Sequence, residues 1–320
     1  MRELVVVQDG KFRYRFTNRL IFQWNDAGPQ ASPDQCNAEE KMEMRPTGEL
    51  LAHDDGLTWY GPTRKDERLI AFGLRLKGGG AHQSKTIMLG EITELIRAGV
   101  TEAHEFRSKI LDENILGKAT SSGRESVLKN LSSLYGLAAV PLLTRVFLKL
   151  AKTDSTSLQS LALLIALARD PLLRDSALSV AESAVGTPIQ WPTFAARFNA
   201  RHPGRFSEKM VRSLSQNCAS TWTQTGHLAG KDKQRTKVHP SAAAAALAAL
   251  IATVCGLSGP TMLSSAWFRI LDLNPDTAMD ALRSAEVQGL ARLRSAGDVI
   301  EISVRQQLAT TLGIPELEYV

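Results

Sequence analysis

Between Ser122 and Gly186 the apolar residues recur at spacings of three and four, the pattern of helices that bury one face. Val127, Leu128, Leu131 and Leu134 form one stripe, behind a Ser122/Glu125 pair spaced as a capping box. Pro141 suits the first turn of a second helix, with Leu142, Leu143, Val146, Phe147 and Leu150 inward. Asp154 or Ser155 caps a third, which buries Leu158, Leu161, Ala162 and Ile165. Asp170 and Pro171 open a fourth, ended by Gly186. These segments predict a packed helical bundle.

The flanks read differently. Arg68–Leu76 is expected to be a strand that runs into the glycine-rich Lys77–Ala81. Upstream, Arg13–Phe16 and Leu20–Phe22 are strand candidates, followed by a polar stretch broken by Pro29, Pro33, Pro46 and Pro62. Residues 1–68 thus read as an N-terminal extension without an evident core of its own. Downstream, Pro188, Pro192, Pro203 and Gly204 mark a boundary near residue 190.

Beyond it, a helix, helix, hairpin order is expected twice. Ser207 caps a helix reaching about Trp222, with Val211, Leu214, Cys218 and Trp222 inward and Lys209, Arg212, Ser213 and Gln216 outward. A hairpin over Gly230–Val238 follows, in which Lys231, Lys233, Arg235 and Lys237 alternate. In the second unit Trp267–Leu271 is a buried helix, and Asp276 or Thr277 starts another reaching Gln288. Leu290–Arg294 then pairs with Val299–Val304. The expected fold class is mainly α: a helical bundle (69–190) followed by one or two winged-helix-like units (191–258 and 259–320) with short β-hairpins.

Charge sharpens the first of these units. The chain carries a formal net charge of +5 over 320 residues. Between Arg197 and His239 stand nine Lys/Arg against only Glu208 and Asp232, so the basicity is local. In a winged helix the second helix enters the major groove and the wing lies on the phosphates. Alternating cations on one strand face, about 7 Å apart, would neutralise successive phosphates in a salt-dependent manner. Arg212 and Gln216 are suited to base edges, because each forms paired hydrogen bonds there. In the second unit Asp276, Asp280 and Glu286 outnumber Arg283 on the helix, which suits a protein or dimer contact. Only Arg292 and Arg294, in its wing, are placed for DNA.

Other chemistries find little purchase. Cys36, Cys218 and Cys255 form no C-x-x-C pair, which argues against a disulfide framework or zinc site and for a reducing cytoplasm. No signal peptide is read in the opening residues. The longest apolar run, Ala242–Val254, falls short of the roughly 20 residues a bilayer needs, so a soluble protein with a buried helix is expected. Gly79–Thr86 differs from a phosphate-binding loop by Ser84 in place of the second glycine. No later aspartate-ending strand or strand–helix alternation supports that loop, and a glycine turn against the bundle is preferred. The histidines at 53, 82, 104, 202, 227 and 239 lack ligand spacing, His104 lying between Glu102 and Glu105. Glu39-Glu40, Asp54-Asp55 and Asp112-Glu113 are adjacent pairs that point to different faces, and no G-x-S-x-G motif occurs. No catalytic residue, cofactor or metal is expected.

Four stretches carry a family resemblance: Leu76–Ala81, Ile110–Lys118, Leu163–Asp175, and Phe206–Arg212 leading to Gly226-His227-Leu228. Over about residues 70–240 the chain resembles the BrxA family of bacteriophage-exclusion (BREX) defence systems. The resemblance implies a helical, non-catalytic defence component that binds DNA and works beside a methyltransferase and large ATPases. The first 68 residues and the region beyond Cys255 are additions to that pattern. Double-stranded DNA and other phage-defence proteins are therefore the expected partners, and no membrane is.

Overall fold

A computed structural model describes the backbone of residues 4–7, 11–14, 56–296 and 299–320, and the side chains of 56–294 and 300–320. Leu20–Phe22, the prolines at 29, 33 and 46, Cys36, His53 and the acid pairs Glu39-Glu40 and Asp54-Asp55 lie outside the described residues. The chain forms two units, Met1–Leu51 and Ala52–Val320. In the first, β1 (Leu4–Val7) pairs antiparallel with β2 (Lys11–Tyr14), Leu4 opposite Tyr14 and Val7 opposite Lys11. Of the strand expected at Arg13–Phe16, Arg13 and Tyr14 lie in β2, and positions 15 and 16 lie outside the described residues.

The second unit is mainly helical. Its first element, Asp66–Phe72, is a helix, α1, where a strand is expected over Arg68–Leu76. Asp66 and Glu67 supply negative charge to its first turn. Gly73, at φ +121°, ends it by donating to the carbonyls of Leu69 and Ile70. Leu69 and Phe72 face inward. A nine-residue apolar run suits either element by periodicity, and here the charged start and the glycine stop decide it.

Helices α2 (Leu89–Arg97), α3 (Ala103–Leu111), α4 (Ser121–Tyr135), α5 (Leu142–Thr153), α6 (Leu158–Arg169) and α7 (Pro171–Ala181) form the bundle. Three helix ends differ from expectation. Asp154 caps a 3-10 turn over Ser155–Ser157 by accepting from the Thr156 amide at 3.1 Å, and it is Ser157 that directly precedes α6. Thr120, rather than Ser122, caps α4 by accepting from the Gly123 amide at 3.0 Å. Asp170 caps α7 at Leu172 and Leu173 as expected, but α7 ends at Ala181, five residues before Gly186. Every residue of Leu161–Ala168 is buried, so α6 is covered on all sides by its neighbours.

Next come α8 (Trp191–Arg201), α9 (Glu208–Gln224) and a minimal hairpin of β3 (Leu228–Ala229) and β4 (Gln234–Arg235). A second series follows: α10 (Ala242–Val254), α11 (Gly259–Leu263), α12 (Ala266–Arg269), α13 (Pro275–Val287), then β5 (Arg292–Ala296) and β6 (Val299–Ser303). Helix α14 (Arg305–Leu312) and a 3-10 turn close the chain. Strand β5 pairs antiparallel with β6 from Arg292 opposite Ser303 to Ala296 opposite Val299. Asn274 and Thr277 cap α13 reciprocally. Both series have the order of winged-helix-like units.

Helix α10 is buried from Ala242 to Ala252, and its small side chains let α6, α12 and α13 approach closely. One hydrophobic core runs from Leu57 to Leu317, through the positions near 190 and 258 where the sequence suggests boundaries. Residues 56–64, at the end of the expected extension, form a strap along the second series. The Gly61 amide donates to the Cys255 carbonyl at 2.8 Å, the Ala266 amide to Thr58 at 2.9 Å, and the Trp267 indole to Trp59 at 2.9 Å. Gly61 must lack a side chain, because a Cβ there would stand 2.0 Å from the Gly256 carbonyl oxygen.

Candidate nucleic-acid interface

Helix α9 takes the faces its sequence predicts. The Ser207 hydroxyl accepts from the Met210 amide at 3.3 Å. Val211, Leu214, Cys218 and Trp222 are buried, and the Trp222 indole donates to Ser176 Oγ at 2.9 Å. Lys209, Arg212 and Gln216 are exposed. Arg212 lies over the half-buried Trp191 ring, 5.3 Å from its centroid, and Arg205 over Phe206 at 4.9 Å. Ser213 departs from the expected outward set: it is half-buried, and its hydroxyl donates to the Gln83 carbonyl at 3.4 Å.

Nearby basic residues of α8 are partly neutralised. Asp175 accepts from Arg201 at 2.6 Å and from His202 at 2.7 Å.

The alternating row of hairpin cations does not form. Arg235 is 4% exposed and ion-paired to Asp272, and it donates to the Val180 carbonyl at 3.0 Å. Lys233 is half-buried at φ +54°, outside the strands. Lys231 and Lys237 are exposed. The physical reason is a third length of chain beside β4. The Arg235 amide donates to Thr187, the Gly186 amide to Arg235, and the Ile189 amide to Lys233. A strand flanked on both edges and packed on α7 presents one face to the core. Arg235 occupies that face, and its charge is satisfied by Asp272.

In the second wing Arg292 and Arg294 are exposed on one face of β5, Arg294 lying 3.9 Å from Glu301 across the strand pair. On α13, Arg283 pairs with Asp280 at 2.9 Å, and Glu286 accepts from the Leu293 amide at 2.8 Å. This helix keeps the acidic face expected of it.

The phosphate-loop look-alike is built for another purpose. With α1 a helix, no strand precedes it. The His82 amide donates to Asp170, those of Ser84 and Lys85 to Ala81, and that of Ile87 to Thr221 Oγ1, so these amides do not cradle a phosphate. Gly80 is required because a Cβ would fall 1.6 Å from Asp170 Oδ1. His82 Nδ1 lies 2.7 Å from Asp170 Oδ2, and Nε2 lies 2.8 Å from Thr221 Oγ1.

Acid, imidazole and hydroxyl thus stand in a row that individual spacing gave no sign of, spanning residues 82, 170 and 221. Their exposures are 0%, 1% and 0%, and the hydroxyl oxygen already accepts from Ile87. The row is a satisfied clamp joining the loop to α7 and α9. Burial acts to raise the Asp170 carboxyl, but His82 and the backbone amides of His82 and Leu173 hold it below the usual carboxylate range. Burial pushes the Cys218 thiol up and that of Cys255 to about 12, so both remain protonated at neutral pH.

Among the described residues, no group of three His, Cys, Asp or Glu side chains is placed to hold a metal ion, and no helix is long and apolar enough to cross a membrane. Comparison with protein-family models, with curated proteins and with solved structures finds no match to this chain.

Proposed function

We propose that the protein is a non-catalytic, DNA-binding accessory component of a cytoplasmic phage-defence system, meeting double-stranded DNA through α9 and the loop of the hairpin behind it. The observation that carries this reading is the outward face of α9. There Lys209, Arg212 and Gln216 stand exposed on a helix whose opposite face is fully buried. Such a helix is rigid, and its exposed side chains combine phosphate-binding charge with groups able to pair with base edges. Lys231 and Lys237, with Arg292 and Arg294 of the second wing, are the further cations available to phosphates. The defence context rests on the resemblance to the BrxA family, as do partnerships with other defence proteins.

Mobility shift of a double-stranded oligonucleotide across a salt series tests the proposal. Replacing Lys209 and Arg212 together by Ala is expected to weaken binding by about tenfold or more, with a shallower salt dependence. Absence of any shift at low salt, or a shift that this double variant leaves unchanged, would refute it. A structural adaptor is the second reading. The acidic outer face of α13 and the 89% exposed Val287 at its end favour a protein contact there.

A further inference from the structure

The Lys85 side chain, which a phosphate-binding loop would aim at its ligand, opens instead onto a polar cleft. The cleft measures about 340 Å³ and lies between the loop after His82, the start of α2, the first turns of α4 and the outward side of α9. Its size suits a small ligand. Its apolar lining is limited to Met88 and Val127, which disfavours an apolar one.

Some of the donors in it lack protein partners. Among the described residues, the half-buried Lys85 ammonium has no hydrogen-bond or ion-pair partner. Thr86 Oγ1 accepts from the Met88 amide at 3.4 Å and Ser126 Oγ from Asn130 at 3.5 Å, yet neither hydroxyl donates to a protein acceptor. Lys118 completes the set, ion-paired to Glu91 at 3.1 Å. The N-terminal turns of α4 add the positive end of a helix dipole. Two ammonium groups and two hydroxyls without a protein acceptor, that of Thr86 half-buried and that of Ser126 exposed, line a common space and call for a ligand rich in acceptor oxygens and negatively charged. Glu91 is the one carboxylate in the lining, and its charge opposes such a ligand while occupying Lys118.

We propose that this cleft binds a phosphate-class anion through Lys85, Lys118, Thr86 and Ser126, with Glu91 limiting its affinity. The group arrives either as a free phosphate compound or as a backbone phosphate of nucleic acid lying over α9. Asn217 of α9, half-buried and donating to the His82 carbonyl at 2.8 Å, lines the cleft and is the neighbour in sequence of the exposed Gln216.

Calorimetric titration with inorganic phosphate and with pyrophosphate, at constant ionic strength set with chloride, probes the first source. Fluorescence anisotropy of a double-stranded oligonucleotide probes the second. In whichever assay shows binding, Lys85→Ala is expected to weaken it by about tenfold or more, and Glu91→Gln to strengthen it several-fold. Lys149→Ala, an exposed lysine on α5, serves as the charge control and is expected to change neither. Response with the phosphates assigns a free ligand; response with DNA alone assigns a backbone phosphate. The proposal is overturned if no probe responds to Lys85→Ala beyond the Lys149→Ala control. Loss of DNA binding on replacing Lys209 and Arg212, with Lys85→Ala silent in every assay, would sink the cleft and leave the α9 reading standing. Lys85-dependent phosphate binding without any DNA binding would do the reverse.

Discussion

His227 donates from Nε2 to the Ile270 carbonyl at 2.7 Å, since that oxygen has no proton to give. In the neutral ring Nδ1 is left as an acceptor, 3.0 Å from the Thr225 hydroxyl, whose one proton is shared with the Trp222 carbonyl at 3.3 Å. Burial lowers its pKa from 6.5 to about 4. Between those values the unfolded chain binds a proton that the folded chain refuses, so stability falls as pH falls through that window. The melting temperature is expected to drop between pH 6.5 and pH 4, and His227→Gln to flatten that slope while lowering stability at pH 7. A slope unchanged in the variant would assign the acid loss elsewhere. Asp170 works at a lower pH. Its depressed carboxyl stabilises the fold above the ordinary carboxylate range, and that contribution is lost on further acidification.

At the scale of elements, α9 and the hairpin behind it separate two kinds of basic residue that look alike along the chain. The α9 faces were legible because capping and burial on a helix follow local spacing, as Ser207 and the Val211/Leu214/Cys218 series show. The hairpin was not. Alternation along Lys231–Lys237 assumed a free strand, whereas β4 is two residues long and edged by 186–189. Arg235→Ala is expected to cost about 3–5 kcal/mol, because it leaves the Asp272 carboxylate without its counter-charge and takes from the Val180 carbonyl the shorter of its two hydrogen bonds. Lys231→Ala and Lys237→Ala, both exposed, should shift stability by less than about 0.5 kcal/mol. Urea denaturation of the three variants distinguishes the roles, and equal costs would contradict them. The α1 misreading has a similar origin, since Arg68–Leu76 is too short for periodicity to choose between helix and strand.

Across the whole second unit, stability is shared between distant segments of chain. The strap at 56–64 fastens to residues 255–269 through backbone bonds, the Trp59–Trp267 edge contact at 4.8 Å and the close Gly61–Gly256 approach. Gly61→Ala is expected to lift the strap and destabilise the fold by about 1–3 kcal/mol. Hydrogen exchange should quicken at the Ala266 amide, which relies on Thr58. Unchanged protection there would mean that the strap is not held by this contact. Three buried or half-buried arginines knit the bundle in the same long-range way. Arg169 reaches the carbonyls of Gly73 and Ser133, Arg174 those of Leu167, Ala168 and Arg75, and Arg75 donates to Ser133 Oγ. Burial, with Arg75 nearby, lowers the Arg169 pKa to about 10, still well above neutral pH.

The sequence by itself determined the helical class, the starts of α5, α7 and α9, the buried faces of α4, α5 and α9, and the strand pairing of β5 with β6. Each of these is written in spacings of a few residues, where backbone geometry alone puts side chains together. Only the tertiary structure decided that Arg235 is internal, that His82, Asp170 and Thr221 meet, that 56–64 straps the second series, and that Lys85 faces a cleft with Lys118. Those partners lie tens to hundreds of residues apart, and no local period encodes which distant group will satisfy a buried charge or leave a lysine idle.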